Sequence, residues 1–335
     1  MAGTRVRDRQ HAVSFENPDG HRLVGVLHEP LDSLRGDIGI ILLSPGVKNR
    51  VAPHRLYNKM AAAYVALGFW VLRFDFYGLG DSEGEIREPM LADLYGSIQM
   101  GRYVKDTRCA VDWMRRRCGV THVVLGGLCG GAITGVLAGA GQDAVAGILG
   151  LGLPVILDGS SVDKIRNMTT HQLVRVRQRY LGKLLAPSAW IRLLTLRTDF
   201  RLLARALTKR GEPKAAGAPA GQSGPPAAGS NANPHFPPAF LRILSDRRPV
   251  LLLFSGADRL YGEFQEKFLE SYRERLSAHG DVLDIMVVDQ ANHVFTFQAW
   301  QDQMLHRTCA WLLERFPPPA SPDRPARSVE AVPTV

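Results

Sequence analysis

The chain predicts an α/β fold, a mainly parallel central sheet flanked by helices with a helical cap inserted into it. Three observations carry that prediction. Strand-like and helix-like patterns alternate from Ile38 to Leu157, the order that parallel strands joined by crossover helices require. The run Ile38–Leu43 is continuously apolar and Phe69–Phe74 nearly so, as suits strands covered on both faces. The alternation lapses over Ser161–Lys209 and resumes at Pro249.

Taken in order, His11–Phe15 and His21–His28 are short alternating runs joined by Asn17-Pro18-Asp19-Gly20, whose residues favour a tight turn, so the chain opens on a β-hairpin. The first buried strand ends at Ser44-Pro45-Gly46. Helical spacing of Leu56, Met60, Ala63, Tyr64 and Leu67 follows and stops at Gly68. The next strand, Phe69–Phe74, runs into the polar, glycine-rich loop 75–84. A helix over Lys105–Arg116 leads to a strand around Val123-Val124-Leu125, a small-residue helix from Ala132 to Ala140 and a strand over Val145–Leu157.

Beyond that point Trp190–Leu207 sets Leu193, Leu194, Phe200, Leu203 and Leu207 on one helical face with arginines around it. Residues 158–210 are therefore expected to form the cap. Residues 211–239 are dominated by Ala, Gly, Pro, Ser and Asn and predict a disordered linker, for want of anything to bury. The core, begun over 12–157, resumes over 240–316 with a strand at Pro249–Phe254, a helix at Glu263–Ala278, a strand at Val282–Val288 and a closing helix at Phe297–Glu314. The proline-rich tail 317–335 is expected to be loose.

At 335 residues, 45% hydrophobic and 22% charged, the chain is ordinary for a globular protein with a sizeable core. No apolar run follows the basic residues of the first turn of sequence, and none approaches the length of a membrane span, so a cytoplasmic protein is expected. Cys109, Cys118, Cys129 and Cys309 form no C-x-x-C pair and no metal-ligand spacing, which argues against a zinc site or a disulfide framework. The net charge of +9 arises in one segment: His171–Lys214 holds eleven Lys/Arg against Asp199 and Glu212. A solvated basic face on a covering helix is the commoner explanation of such an imbalance, with an anionic partner or a membrane surface as the alternatives. No recognition motif accompanies the charge, so nucleic acid is not expected.

The stretch Thr121–Gly131, THVVLGGLCGG, is where chemistry concentrates. A β-branched run meets glycines, crosses Leu128-Cys129 and meets glycines again before a helix; this is the G-x-nucleophile-x-G spacing of a nucleophile elbow, with sulfur in the usual place of a serine hydroxyl. Glycines let strand and helix approach there, and a helix N-terminus favours the anionic form of a thiol set on it. Taken alone, a small buried cysteine beside a packing turn explains the stretch equally well. The partners downstream decide. Cys129, Asp258 and His293 each follow a predicted strand, in the chain order nucleophile, acid, histidine expected of a hydrolase triad. Asp158 is the alternative acid, less well suited than the Ser-Gly-Ala-Asp turn at 258, while Asp75 and Asp81 are expected to hold their loop together.

With these motifs the chain resembles the α/β-hydrolase superfamily from Ala12 to Phe316. The stretch VAPHRLYNKMAAAYVALGFWVLRFDFYGLGDSEGE also resembles cysteine-bearing hydrolases associated with bacterial exosortase and exopolysaccharide systems. Two departures stand out: cysteine replaces the usual serine, as in dienelactone hydrolases, and Ser44-Pro45 stands where many relatives carry His-Gly. The resemblance implies that Cys129 attacks, His293 relays the proton, Asp258 orients the imidazole, and the N–H groups of Gly130 and Val47 hold the oxyanion. The implied activity is cleavage of a carboxylic ester or thioester through an acyl-thioester, with no cofactor and no metal. Acyl transfer through the same intermediate, or a binding protein that has lost turnover, are the rival readings. The expected partner is an acyl substrate, free or carrier-bound, whose anionic groups the basic cap would attract.

Overall fold

The computed structural model describes residues 9–31, 37–158 and 231–318. Residues 159–210 of the expected cap, 211–230 of the expected linker and the tail from 319 onward lie outside the described residues. The opening hairpin consists of β1 (Arg9–Glu16) and β2 (Arg22–Glu29), and the Asn17 side chain closes its turn by accepting the N–H groups of Asp19 and His21. Six further strands follow: β3 (Ile38–Leu43), β4 (Trp70–Phe74), β5 (His122–Leu128), β6 (Val145–Leu151), β7 (Val250–Ser255) and β8 (Leu283–Val288). They form one eight-stranded sheet of order β1-β2-β4-β3-β5-β6-β7-β8. β2 pairs antiparallel with β1 and with β4, and the strands from β4 across to β8 are parallel. The mainly parallel sheet flanked by helices is thus the fold that the sequence predicts.

One face of the sheet is covered by α1 (Leu56–Ala66) and α8 (Gln298–Arg315), which bury Met60, Tyr64, Met304 and Trp311 against Ile40, Leu42 and Leu251. The other is covered by α3 (Val104–Cys118), α4 (Gly130–Gly139) and α5 (Phe236–Ser245), with Met114, Ile133 and Phe240 among the buried side chains. Between β7 and β8 run α6 (Leu260–Phe264), a π-helical turn at Gln265–Leu269 and α7 (Glu270–Ser277). A further helix, α2 (Leu91–Gln99), stands at the carboxyl end of the sheet.

The structure corrects four expectations. The expected disordered linker, 211–239, is ordered from 231: Ala232 bridges Ile156, and α5 begins at Phe236. Its prolines, 237 and 238, sit in the first turn, where backbone N–H groups need no helical acceptor. Phe236 and Phe240 then pack on Phe268 with ring centroids 4.7 and 5.5 Å away, apolar burial that a Pro/Ala count conceals. Second, β5 continues through Gly126 and Gly127 instead of stopping before them. Third, β6 ends at Leu151, because Gly152 takes a positive φ of 54° and Pro154 follows. Fourth, α2 was not expected, Gly96 breaking its apolar pattern.

Close contact explains the glycines of the elbow. A Cβ at Gly131 would stand 2.3 Å from the carbonyl oxygen of Leu43 and one at Gly127 would stand 2.4 Å from the carbonyl carbon of Gly131. Backbone cannot retreat as a side chain can. Gly131→Ala is therefore expected to cost at least about 1–3 kcal/mol, the range for overpacking a filled site, read as a lower midpoint in urea unfolding. A variant with the wild-type midpoint would mean that α4 and β3 are not in such contact.

Candidate active site

The three residues singled out by the sequence converge above the carboxyl ends of β5, β7 and β8, where sites on such sheets lie. Cys129 links β5 to α4 at φ 54° and ψ −112°, a backbone region that a residue with a side chain occupies only where its surroundings force it. Its N–H donates to Leu151 O at 2.8 Å, and its carbonyl accepts the N–H groups of Ala132 and Ile133 at 3.0 and 3.2 Å. The residue is pinned from both sides. Its side chain consequently leaves the sheet and lines a cleft, at intermediate exposure.

Asp258 and His293 come from loops tied to each other by backbone. Gly256 N–H donates to Val288 O and Ala257 N–H to Ala291 O, at 2.9 and 3.0 Å. Those bonds set Asp258 Oδ2 2.6 Å from His293 Nδ1. The other carboxylate oxygen accepts the N–H of Arg259 at 2.7 Å. Cys129 lines the same cleft as the imidazole and lies close enough to help raise its pKa. Asp158, the alternative acid, lines the same cleft but does not hold the imidazole: its N–H donates to Gln99 Oε1 at 2.7 Å and its carboxylate lies 3.6 Å from Arg259 Nη2.

Electrostatics couples the pair. Burial pushes the Asp258 carboxyl up, but the hydrogen bond and charge of His293, with Arg259, outweigh it and hold the group below its ordinary value of 3.8. Burial pushes His293 down, but the hydrogen bond to Asp258 and the neighbouring Cys129 outweigh it, and the imidazole is raised from 6.5 to about 10. The linkage signs follow. A raised histidine contributes stability that is fully present below pH 6.5 and is lost as the pH climbs through about 10; a depressed carboxyl contributes stability present above 3.8 and lost as the pH falls through its lower folded value. Wild type and Asp258→Asn are therefore expected to differ most in melting temperature between about pH 4 and 6.5, with the gap narrowing on the alkaline side toward pH 10. A gap that widens from pH 7 to 10 would contradict the pairing.

The two expected oxyanion donors lie on facing loops. Gly130 opens α4, and a Cβ on it would meet Gly46 Cα at 2.6 Å, so the Ser44–Val47 loop lies directly against the start of the helix. Gly46 turns the chain at φ 62°. Among the described residues neither Val47 N–H nor Gly130 N–H meets a backbone or side-chain acceptor, as the first N–H of a helix ordinarily does not. Gly130 lines the cleft beside Cys129, while Val47 stands on the adjoining loop, outside the cleft's lining.

The cleft over these groups has a volume of about 510 Å³ and is lined by Cys129, Gly130, Asp258 and His293, by the apolar Leu91, Ile98, Pro154 and Leu260, and by Tyr95, Arg259 and Asp158. Tyr95, raised in pKa by burial and by the neighbouring Cys129 and Asp158, escaped the sequence reading along with the helix that carries it. The spacing of Leu91, Tyr95 and Ile98 was the available signal. Arg259 is held by Glu263, whose Oε1 accepts from its Nη1 at 2.7 Å. Asp75 is structural, as expected: fully buried, it accepts the N–H groups of Arg50 and Asp81 at 2.6 and 3.1 Å and pairs with the Arg50 guanidinium. Among the described residues no cluster of His, Cys, Asp and Glu has the geometry of a metal site, and no helix is long and apolar enough to cross a membrane.

No family profile and no curated protein matches the chain. Solved structures do. An esterase of Pyrococcus furiosus is 15% identical with a TM-score of 0.55, the match covering 93% of each chain. A dienelactone hydrolase of Anabaena variabilis is 14% identical with a TM-score of 0.53, over 92% of this chain and 98% of that one. An α/β hydrolase of Penicillium is 14% identical with a TM-score of 0.52, over 92% and 99%. Identities this low speak for the fold: the chain has the fold of the α/β hydrolases, and its candidate triad stands at the strand ends where that fold exposes a site.

Proposed function

We propose that the protein is a cysteine-dependent hydrolase of carboxylic esters or thioesters. One observation carries this reading, an imidazole hydrogen-bonded to Asp258 and lining the same cleft as Cys129, which helps to raise its pKa. In the first step Sγ of Cys129 bonds to the acyl carbon with the thiol proton held on His293, and the carbonyl oxygen takes up the electron pair. Val47 and Gly130 N–H groups hold that oxygen; a donor of this kind is worth about 2.7–4 kcal/mol where removed. Collapse expels the alcohol or thiol with the proton from His293 and leaves an acyl-thioester on Cys129. Acylation ends the Cys129 contribution that helps to raise His293, so more of the imidazole is unprotonated and able to accept the proton of the water that attacks next. Water cleaves the thioester, the acid departs and the proton returns to sulfur.

The apolar wall of Leu91, Ile98, Pro154 and Leu260 supports an acyl group as the part bound. The leaving group's class, the attraction of an anionic or carrier-bound substrate by the basic segment 171–214, and the finer likeness to exosortase-associated hydrolases belong to the same proposal. Its test is hydrolysis of short p-nitrophenyl esters and acyl-thioesters, with and without amine, alcohol and thiol acceptors, before and after iodoacetamide. Acid release that iodoacetamide abolishes is expected. Acylated acceptor outpacing free acid would replace hydrolysis with acyl transfer, and no turnover of either class would leave a binding protein on a hydrolase fold.

A further inference from the structure

The last rung between β3 and β5 contains a side chain. Along β5 the N–H groups of alternate residues face opposite neighbours: His122 donates to Asp37 O on the β3 side, whereas Val123 and Cys129 donate to Ala144 O and Leu151 O on the β6 side. By that alternation, and by the register Leu43↔Gly127, the N–H of Leu128 belongs to the carbonyl of Leu43. The hydroxyl of Tyr57 is bonded to both members of that rung. It accepts the Leu128 N–H at 2.7 Å and donates to Leu43 O at 2.7 Å.

Tyr57 lies in the first turn of α1 with no solvent exposure. A buried phenol needs one partner to be accommodated; this one has a donor and an acceptor, from the two strand ends that lead into the site. The residue after Leu128 is Cys129, and Leu43 leads into Ser44–Val47. On the opposite side Cys129 N–H reaches Leu151 O directly at 2.8 Å, so β5 keeps its ladder to β6 one residue past the point where the hydroxyl enters its ladder to β3. Burial raises the phenol above its ordinary value of 10, which keeps the hydroxyl neutral, and so both donor and acceptor, through the range in which an esterase is assayed.

We propose that Tyr57 is a positioning residue: its hydroxyl, held between Leu43 and Leu128, sets the separation of the Val47 and Gly130 N–H groups and with it the grip of the oxyanion site on the tetrahedral intermediate. This rests on the reading of Cys129 as nucleophile given above.

The test compares wild type with Tyr57→Phe by crystal structure, by kcat and KM on p-nitrophenyl butyrate, and by inhibition with butanal against butan-1-ol. The aldehyde adds the Cys129 sulfur and places an oxygen in the oxyanion site; the alcohol does not. Expected are a kcat lower by about tenfold to a hundredfold, less than the loss of a whole oxyanion donor, a KM within about threefold, a preference for aldehyde over alcohol reduced by the same factor as kcat/KM, and an altered separation of Val47 N from Gly130 N. A variant that melts earlier yet keeps kcat and the aldehyde preference overturns the proposal. Should Tyr57→Phe fail to fold, 3-fluorotyrosine at position 57, which changes the hydroxyl's acidity without deleting it, must shift the aldehyde preference; an unchanged preference overturns it. If the wild type turns over no ester, the proposed function fails and the two crystal structures alone decide, equal separations counting against Tyr57 and a shifted separation for it.

Discussion

Cys129→Ala is expected to lower kcat/KM for short esters by about 10⁴-fold or more, in line with removal of the attacking atom in triad enzymes, while leaving the melting temperature within a few degrees of wild type. The fold has little stake in this sulfur. Cys129 is partly exposed and lines the cleft, and the bonds that pin it are made by its backbone, which alanine keeps. Alanine inherits the unfavourable φ of 54°, a strain that cysteine already bears. Progress curves with p-nitrophenyl esters and a thermal melt check both halves. A variant that retains a tenth of wild-type activity would move the nucleophile elsewhere.

The second large effect is at the base. His293→Ala is expected to reduce kcat by about 10³-fold or more, because one imidazole serves both steps, taking the thiol proton in acylation and activating water in deacylation. Combining it with Cys129→Ala is expected to cost no more than Cys129→Ala alone, since groups that act as a unit are not additive. Single-turnover and steady-state rates on the three variants measure this. A double variant whose loss reaches the product of the single losses would show that His293 works without Cys129.

Much of this site was legible because its placement follows from local patterns. The glycines around Cys129 announce a tight strand-to-helix crossing, and the structure gives the reason: β5, α4 and β3 approach so closely that a methyl group at position 131 would meet backbone. Asp258 and His293 could be found because each follows a strand of a sheet whose strand ends gather on one side; their 2.6 Å contact is a consequence of that topology. The misses have physical causes too. Helix α5 hides in a proline-rich composition because Pro237 and Pro238 are harmless in a first turn, and what stabilises it, the packing of Phe236 and Phe240 on Phe268, is contact with a residue far along the chain. Helix α2, with Tyr95 on the cleft wall, is disguised by Gly96, whose missing Cβ makes room for the carbonyl of Asp158. Tyr57 in α1 reads as one more apolar position of a helix, since nothing in its neighbourhood of sequence tells of Leu43 and Leu128.

The central claim is that Cys129 carries the acyl group, and covalent trapping tests it most directly. The protein is to be quenched in acid within the first turnovers on a slowly hydrolysed ester, digested, and mapped by mass spectrometry. The account predicts a single acyl adduct on the peptide containing Cys129, absent from Cys129→Ala and accumulating in His293→Ala if that variant still acylates. Turnover of the ester with the adduct on another residue, or with none formed at all, would contradict it.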